Sequence, residues 1–341
     1  MVTRPAPVVA VRFDGGALRA LDQTLLPWEE RELVLDSAAA VAEAIKRLAI
    51  RGAPLIGVAA AYAVVVELQR DPTEAALDRA RQVLREARPT AANLAYAVDR
   101  VHGAATGQNQ LATAALEEAQ AIEAEELEAS DKMAAAGAEL LSGARRLLTH
   151  CNTGALAAPG RGTALAVIAE LAAREGIETV FATESRPLLQ GARLTVWELR
   201  RLELPHALIV DSAAAGLIAA GGVDAVVVGC DRVAANGDVA NKVGTYGLAL
   251  AAREARIPFV VTGPTSTIDA GCRSGSEITI EERDPEEVRG AASAQLTISD
   301  TSCRNPAFDV TPARMVTALV TERGIARPVD GPTVRAVVGG P

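Results

Sequence analysis

The chain has 341 residues, enough for two domains of ordinary size. Its formal net charge is -9, which argues against broad electrostatic binding of nucleic acid or anionic lipid, so a phosphate ligand would need a local basic cluster. The first residues lack the apolar core of a signal peptide, and no uninterrupted apolar run reaches the roughly 20 residues of a membrane helix. We therefore expect a soluble, cytoplasmic protein.

The four cysteines are Cys151, Cys230, Cys272 and Cys303, and no two of them form a CxxC pair. Their wide separation favours neither a disulfide framework nor a structural zinc site. Only three histidines are present, so a histidine-based metal site is poorly supplied. The sequence predicts a protein without a bound metal.

The N-terminal region is predicted to be mainly helical after a short β-hairpin. Asp14-Gly15-Gly16 separates the apolar runs 8–13 and 18–21, as the turn of a hairpin does. Apolar residues then recur at helical spacing in several segments, the first of which Ser37 should cap. The helices are predicted at 37–50, 59–69, 73–87, 91–103 and 111–141.

The character of the sequence changes near Arg145. Short runs of valine, isoleucine and leucine alternate there with helical patterns, which indicates repeated βαβ units and a doubly wound parallel sheet. The strands are predicted at 147–149, 179–182, 207–210, 225–228 and 259–261. We therefore predict an α/β protein with a mainly helical domain over residues 1–142 and a Rossmann-like domain over residues 143–341.

Four of the five predicted strands lead into an ionisable or nucleophilic side chain, namely Cys151, Glu184, Asp211 and Asp231. The carboxyl ends of parallel strands share one edge of a sheet, so one pocket could collect all four. The segment Val223–Thr245 is the richest, because a buried valine strand leads into a run of polar residues that we interpret as a loop. This loop is the first candidate for an active site.

Asp231 and Cys151 each have a catalytic and a structural interpretation. Asp231 directly follows the buried strand, where desolvation would raise its pKa and suit it to general acid or base catalysis. It could equally cap a turn or pair with Arg232 or Lys242. Cys151 precedes a glycine-rich loop, NTGALAAPGRGT, that leads into a helix as anion-binding loops do. A lone cysteine is, however, more often a small buried hydrophobe, and the loop matches neither Walker A nor GxGxxG.

Two basic junctions in the helical region are candidates for phosphate binding. Arg51-Gly52-Ala53-Pro54 closes one predicted helix and precedes another, and Arg88-Pro89-Thr90 has a similar arrangement. Together with Lys242 they could supply the local basic cluster that a phosphate needs. Each tripeptide alone also fits an ordinary helix junction.

These motifs together resemble those of the S-methyl-5-thioribose-1-phosphate isomerases of methionine salvage, a family that shares its fold with regulatory subunits of a eukaryotic translation initiation factor. The resemblance extends over nearly the whole chain, in order and without large gaps. The matching segments are FDGGALRALDQTLLP, IRGAPLIGVAAAY, RPTAANLAYAVDRV, LLTHCNTGALA with GRGTALAVI, ESRPLLQGARLTVWEL, DRVAANGDVANKVGTYGLAL, STID, IEERDPEEV and NPAFDVTPARMVTA.

The resemblance implies an aldose-ketose isomerase acting on a sugar 1-phosphate, with the catalytic thiol at Cys151 and the catalytic acid at Asp231. It also implies no metal or organic cofactor, a homodimer, and a small sugar phosphate as the partner rather than nucleic acid or a membrane. The substrate-binding positions that it implies are Arg51, Gly52, Ala53, Arg88, Gln190, Asn241 and Lys242.

The chain departs from the family pattern at a few places. Ser185 replaces a usual threonine, Cys230 takes a small-residue position before Asp231, Cys303 stands where a larger apolar residue is common, and residues 157–159 alter the loop after the thiol. The residues to which the resemblance assigns chemistry all match the family. The departures therefore bear on which 5-substituent the sugar has more than on the type of reaction.

Two rival functions remain open. One is an isomerase of 5-deoxyribose 1-phosphate or ribose 1,5-bisphosphate; a bisphosphate would need a second basic cluster near C5, where the helical region offers Leu55, Ile56 and Tyr62 instead. The other is a non-catalytic regulatory module, which should have lost the thiol and the acid.

Overall fold

A computed structural model describes residues 8–88, 92–291 and 294–339. The chain divides into two compact units. Among the described residues, the helical unit comprises those within 8–131 and 155–162, and the sheet unit comprises those within 132–154 and 163–339. The domain division predicted after residue 142 stays a prediction.

The helical unit begins with a three-stranded antiparallel sheet, of which the predicted hairpin forms the first two strands. Helices follow at all the predicted places, and Ser37 caps the first by accepting a hydrogen bond from the Ala40 amide at 3.3 Å. The elements are β1 (Val11–Phe13), β2 (Leu18–Leu21), β3 (Glu32–Leu35), α1 (Ala38–Lys46), α2 (Ala53–Arg70), α3 (Glu74–Ala87), α4 (Ala92–Ala105) and α5 (Leu111–Leu140), and the residues of α5 from Lys132 onward belong to the sheet unit.

Helix α2 forms the centre of the helical unit, because nearly every residue from Ala53 to Leu68 is buried. It begins six residues before the predicted start at residue 59, since Gly52 serves as its N-cap and Pro54 fits the first turn. Its length and composition alone would allow it to cross a membrane, yet 83% of it is buried inside the protein. This is the environment of a core helix.

The sheet unit alternates strands and helices, as predicted. Its elements are β4 (Arg146–Thr149), α6 (Ala164–Glu175), β5 (Thr179–Thr183), α7 (Val196–Arg201), β6 (His206–Ile209), α8 (Ala214–Ala219), β7 (Ala225–Val228), β8 (Arg232–Ala234), β9 (Val239–Lys242), α9 (Thr245–Ala255), β10 (Phe259–Thr262), β11 (Ile268–Asp269), α10 (Glu286–Arg289), β12 (Gly290–Ala291), β13 (Ala294–Gln295), β14 (Phe308–Thr311), β15 (Ala318–Thr321), β16 (Gly324–Ala326) and α11 (Gly331–Val338).

The main sheet has seven strands in the order β16-β15-β10-β7-β4-β5-β6. All are parallel except the edge strand β16. Counted along the chain, the six parallel strands lie in the order 3-2-1-4-5-6, which is the doubly wound order of a Rossmann fold. The predicted fold class is confirmed, and the strand order reverses direction between β4 and β7.

The segment after Gly229 differs from the predicted loop. It forms the hairpin β8-β9, which belongs to a second, four-stranded sheet in the order β11-β8-β9-β14. The turn contains Asn236-Gly237, and Gly237 has a φ of +89° that favours glycine. Asn241 and Lys242 therefore lie on strand β9.

Candidate active site

The switch point between β4 and β7 brings the two predicted catalytic positions to adjoining strand ends. Leu148 of β4 pairs with Val226 of β7, so Cys151 and Gly229, each three residues further along, are level at the carboxyl edge. Asp231 follows two residues later. In open α/β sheets the crevice outside such a switch point is where ligands bind.

Gly229 allows the loop after Cys151 to pack directly on the segment that leads to Asp231. A Cβ atom at Gly229 would lie 2.9 Å from Cγ2 of Thr153 and 3.3 Å from Oγ1 of Thr163. The Thr163 amide also donates to the Thr153 carbonyl at 2.8 Å. Any larger residue at position 229 would push this loop away from the strand end.

The backbone of Cys151 is held in an unusual conformation by two side chains. Its φ is +63°, in the left-handed region that non-glycine residues rarely adopt. Its amide donates to Oγ of Ser185 at 2.8 Å, and its carbonyl accepts from Oγ1 of Thr195 at 2.5 Å. Strained residues that the surroundings hold in place are typical of active sites, and two side chains hold the backbone of Cys151 in this way.

His150 extends this hydrogen-bonded network. Its Nε2 lies 2.9 Å from the Val243 carbonyl and its Nδ1 lies 2.6 Å from Oγ1 of Thr183. A carbonyl only accepts, so Nε2 carries the proton and Nδ1 accepts from the Thr183 hydroxyl. Burial lowers the pKa of His150, which keeps the imidazole neutral.

Thr183 also lies 3.3 Å from Ser185, oxygen to oxygen. A continuous path of hydrogen bonds thus runs from the amide of Cys151 through Ser185, Thr183 and His150. It ends at the carbonyl of Val243, which follows Lys242. Position 185, one of the departures from the family pattern, therefore supports the backbone of Cys151 directly.

We expect Ser185→Ala to lower kcat about tenfold with little change in KM, because the buried amide of Cys151 would lose its acceptor and the left-handed conformation its support. Ser185→Thr keeps the hydroxyl and should retain wild-type kcat within about twofold. Steady-state kinetics of the two variants checks this expectation. Equal losses of kcat in both variants would show that packing, rather than the hydroxyl, matters at this position.

Asp211 has a structural contact that the strand-end prediction did not foresee. Its two carboxylate oxygens accept from the amides of Ser185 and Arg186, each at 2.7 Å. Asp211 therefore fixes the loop that holds Cys151, and its carboxylate is engaged with the backbone. Of the four side chains predicted to share one pocket, Asp211 therefore has a structural contact instead of a free carboxylate.

Gln190 lies at the start of a π-helical turn, Gly191–Thr195, that leads into α7. A Cβ atom at Gly191 would approach the Thr183 carbonyl to 1.7 Å, so only glycine fits there. The side chain of Gln190 is buried, and its Oε1 has no hydrogen-bond partner among the residues that the structure describes. A buried acceptor in this state suits a hydroxyl donor of a bound ligand, and π-turns often occur at functional sites.

Asn241 and Lys242 are both buried on β9. Nδ2 of Asn241 donates to Oγ1 of Thr245 at 3.0 Å. Nζ of Lys242 donates to the Ala307 carbonyl at 3.0 Å and lies 5.1 Å from the centre of the Phe308 ring. A buried ammonium group of this kind is held in a fixed position from which it can meet an anion.

Glu198 is a buried acid near the thiol that the sequence did not single out. It accepts from Nδ2 of Asn152 at 2.7 Å, and a Cβ atom at Gly154 would lie 2.3 Å from its Oε2. Glu198 follows Thr195 by three residues, so both point from one face of the same helical segment. The sequence signal that could have identified Glu198 is this pair of polar residues, Thr195 and Glu198, at helical spacing on a buried face.

The start of α2 requires glycine at position 52. Gly52 has a φ of +92°, and a Cβ atom there would lie 2.3 Å from the carbonyl oxygen of Ala157. That carbonyl accepts from the Leu55 amide at 3.1 Å. The loop after residue 154 therefore packs on the first turn of α2, and this close approach explains the Arg-Gly-Ala sequence.

The structure distributes the predicted substrate-binding residues over both units. Arg51, Gly52, Ala53 and Arg88 belong to the helical unit, and Gln190, Asn241 and Lys242 belong to the sheet unit with Cys151 and Asp231. Arg51 immediately precedes the N-cap of α2, and Arg88 is the C-cap of α3. Pro89 and Thr90, which completed the second predicted basic junction, lie outside the described residues.

Asp309 controls the turn that follows Lys242. It lies opposite Asn241 in the β9-β14 pair and accepts from the amides of Gly244 at 2.7 Å and Tyr246 at 3.1 Å. Burial raises the pKa of Asp309 from 3.8 to about 6, although both amide bonds oppose this shift. The folded state therefore binds the proton more tightly than the unfolded state does.

Because the pKa of Asp309 is raised on folding, its contribution to stability is greatest below pH 3.8 and is lost as the pH rises through about 6. We expect the free energy of unfolding of the wild type, relative to Asp309→Asn, to fall over this window by up to about 3 kcal/mol. Urea unfolding of both proteins at several pH values measures the difference. A difference independent of pH would contradict the raised pKa.

Within residues 8–88, 92–291 and 294–339, no group of three or more His, Cys, Asp or Glu side chains is placed to hold a metal ion. All four cysteines are free thiols.

The chain is similar to a known protein family and to named members of it. The model of the initiation factor 2 subunit family matches residues 49–328. The chain is 51% identical over 323 residues to a methylthioribose-1-phosphate isomerase of Anaeromyxobacter sp. (strain K), covering 94% of each protein. It is 47% identical to the protein of the same name from Pelotomaculum thermopropionicum, covering 97% of this chain and 94% of that one.

Solved structures of an isomerase and of an initiation factor subunit also match the chain. The crystal structure of 5-methylthioribose 1-phosphate isomerase from Pyrococcus horikoshii OT3 has a TM-score of 0.89 and 38% identity, over 98% of this chain and 96% of that one. A translation initiation factor eIF-2B delta subunit from A. fulgidus has a TM-score of 0.86 and 36% identity, over 97% and 99% of the two chains. The chain therefore belongs to the initiation factor 2 subunit family, in the group that contains the methylthioribose-1-phosphate isomerases.

Proposed function

We propose that the protein is an aldose-ketose isomerase that converts S-methyl-5-thio-α-D-ribose 1-phosphate to S-methyl-5-thio-D-ribulose 1-phosphate in methionine salvage. The names of relatives at about 50% identity support this activity. The observation on which the proposal rests is the position of Cys151 and Asp231 on adjoining strand ends at the switch point. The non-catalytic members of such a family would have no reason to keep both groups.

The reaction moves one hydrogen from C2 to C1. The C2 hydroxyl becomes the ketone, and the ring oxygen leaves C1 and takes up a proton to become a hydroxyl. The phosphate on C1 prevents free opening to an aldehyde, so the ring must open with an acid at the ring oxygen. We assign to Asp231 the proton transfer at the ring oxygen or the C2 oxygen, and to Cys151 an assisting role at C1 and C2.

Two routes satisfy this balance. In one, the C2 proton is removed to give an enol phosphate and a proton is then added at C1. In the other, the C2 hydrogen moves directly to C1 as a hydride while the C2 hydroxyl loses its proton. Turnover in deuterated water followed by NMR at C1 separates them, because full solvent label at C1 excludes a direct hydride shift.

The phosphate is assigned to Arg51, Arg88 and Lys242 together with the amides of Gly52 and Ala53. Charge-assisted bonds from guanidinium and ammonium groups are the strong contacts for phosphate, and the first turn of α2 adds amides aligned with the helix dipole. Gln190 and Asn241 are assigned to the sugar hydroxyls, because the buried Oε1 of Gln190 can accept from one of them.

We expect Arg51→Ala to raise KM at least about tenfold, equivalent to about 1.4 kcal/mol of lost binding. Arg70→Ala is a matched control, because Arg70 lies at the opposite end of α2 and donates to the Asp36 carbonyl at 3.1 Å. The control should change KM less than twofold. An unchanged KM in Arg51→Ala would remove Arg51 from the substrate site.

The rival substrates are 5-deoxyribose 1-phosphate and ribose 1,5-bisphosphate. Leu55 and Ile56 beside the proposed phosphate site are buried and apolar, which favours an uncharged 5-substituent over a second phosphate. Comparing kcat/KM of the purified protein for the three sugar phosphates tests the assignment. We expect the methylthio sugar to have the highest value, and a higher value for the bisphosphate would overturn it.

We also propose that the protein is a cytoplasmic homodimer that needs no metal or organic cofactor and that its partner is the sugar phosphate rather than nucleic acid or a membrane. The resemblance to the isomerase family supports this proposal, and the net charge of -9 agrees with it.

A further inference from the structure

Four arginines line one cleft in the sheet unit, at a distance from the proposed active site. The cleft has a volume of about 380 Å³, which is within the range of small-molecule sites. The lining arginines are Arg253, Arg256, Arg314 and Arg327, and no acidic residue lines the cleft. In a chain with a net charge of -9, four convergent cations are a marked local excess of positive charge.

The arginines come from three separate parts of the chain. Arg253 and Arg256 end helix α9, Arg314 lies in the turn after β14, and Arg327 follows β16. Many other arginines of this protein pair with carboxylates. For these four, in contrast, the structure shows no ion pair and no side-chain hydrogen bond within its described residues. Arg314 also interacts with Asp238 through its charge, without an ion pair.

The floor of the cleft is formed by the start of β10 and the segment before β15. Pro258, Phe259, Met315 and Val316 line this floor, and because Phe259, Met315 and Val316 are only 1%, 8% and 6% exposed, the apolar surface that a ligand could cover is small. The polar backbone there is already bonded, since Phe259 and Thr317 exchange hydrogen bonds at 2.8 and 3.0 Å. The guanidinium groups are therefore the free polar groups that a ligand would meet.

The cleft lies at the opposite edge of the main sheet from the proposed catalytic groups. Phe259 opens β10, whereas Cys151 and Asp231 follow the carboxyl ends of their strands. A strand of four residues rises about 10 Å from its first residue to its last. A molecule in the cleft would not occupy the site at the switch point.

We propose that this cleft binds a small organic anion that has two or more negative charges on phosphate groups. Guanidinium groups form bidentate, charge-assisted bonds with phosphate oxygens and also stack on planar groups. Two or more charges match four arginines better than one does, because unpaired like charges in one cleft repel each other.

Titration calorimetry with pyrophosphate and with ADP, at low and moderate salt, tests the proposal on the full-length protein. We expect both to bind to the wild type, ADP more tightly because guanidinium groups also stack on its planar adenine. The Arg256→Gln/Arg314→Gln double variant should lose at least about 30-fold in affinity. Its basal isomerase kinetics should stay unchanged, since neither residue belongs to the proposed active site.

The matched control is Arg200→Gln/Arg335→Gln, which removes the same charge from two exposed arginines outside the cleft. It should change the affinity less than twofold. Equal losses in the two double variants would show a general charge effect and overturn the proposal. Binding that persists in the cleft variant and is abolished by the isomerase product would place the anion at the active site, and absence of binding to the wild type would also refute the cleft as a site.

Discussion

Asp231→Asn should lower kcat at least about 100-fold while KM changes less than about threefold. The amide keeps the shape and much of the hydrogen bonding of the carboxyl group, but it cannot take up and release a proton. The main-chain position is secured independently of the side chain, because the Asp231 amide donates to the Ala240 carbonyl at 3.0 Å. Steady-state kinetics and the melting temperature of the variant separate lost chemistry from lost folding.

Asp238→Asn is the matched control in the same hairpin. The Asp238 carboxylate accepts from the amides of Ala313 and Gly275 and from Nδ2 of Asn236 at 2.8 to 3.0 Å. This variant should lower the melting temperature and leave kcat per folded molecule within about threefold. If Asp231→Asn retained more than about a tenth of wild-type turnover, Asp231 would be a binding residue rather than the proton-transfer group.

Cys151→Ser should also lower kcat by roughly 100-fold or more with little change in KM. The hydroxyl nearly matches the thiol in size but is far less acidic and less nucleophilic. Its backbone is held by Ser185 and Thr195 through groups that the substitution does not touch, so the loop should keep its conformation. Kinetic measurement on the purified variant checks this expectation.

Cys303→Ser serves as the control for the thiol. Cys303 lies outside the switch point, and its Sγ is 3.6 Å from the Thr301 carbonyl. It should retain the wild-type kcat. A kcat above a tenth of the wild-type value in Cys151→Ser would leave Cys151 a structural cysteine, as most lone cysteines are.

Much of the fold could be predicted from local sequence, because its strands and helices have strong patterns. The valine run before Gly229 predicted β7 to the residue, and the cap at Ser37 was predicted from a polar residue before apolar periodicity. The start of α2 was predicted six residues late, since Gly52 and Pro54 were interpreted as a junction between helices. Here a close approach to Ala157, invisible in sequence, decides the boundary.

The hairpin β8-β9 was missed because its strands have only three and four residues and are rich in polar side chains. The Asn236-Gly237 pair was the signal that could have found it. The strands β14 to β16 were also not predicted, since each spans three or four residues within a mixed segment.

The candidate site could be predicted only in part. The strand-end rule assigned Cys151 and Asp231 to one edge of the sheet, where β4 and β7 do pair, but it also included Asp211, whose carboxylate accepts hydrogen bonds from the backbone. The network through His150, Thr183 and Ser185 depends on the register of β4 against β5, in which Thr149 pairs with Ala182. A single sequence does not specify this register, so the contact of His150 with Thr183 could not be predicted.

The most direct test of the account is to follow the substrate itself. S-methyl-5-thioribose 1-phosphate labelled with carbon-13 at C2 should show, with the purified wild type, loss of the alcohol carbon signal and growth of a ketone carbon signal. Folded Asp231→Asn and Cys151→Ser proteins should give the ketone at a rate at least about 100-fold lower. If the folded wild type formed no ketone, the proposed isomerase activity would be contradicted.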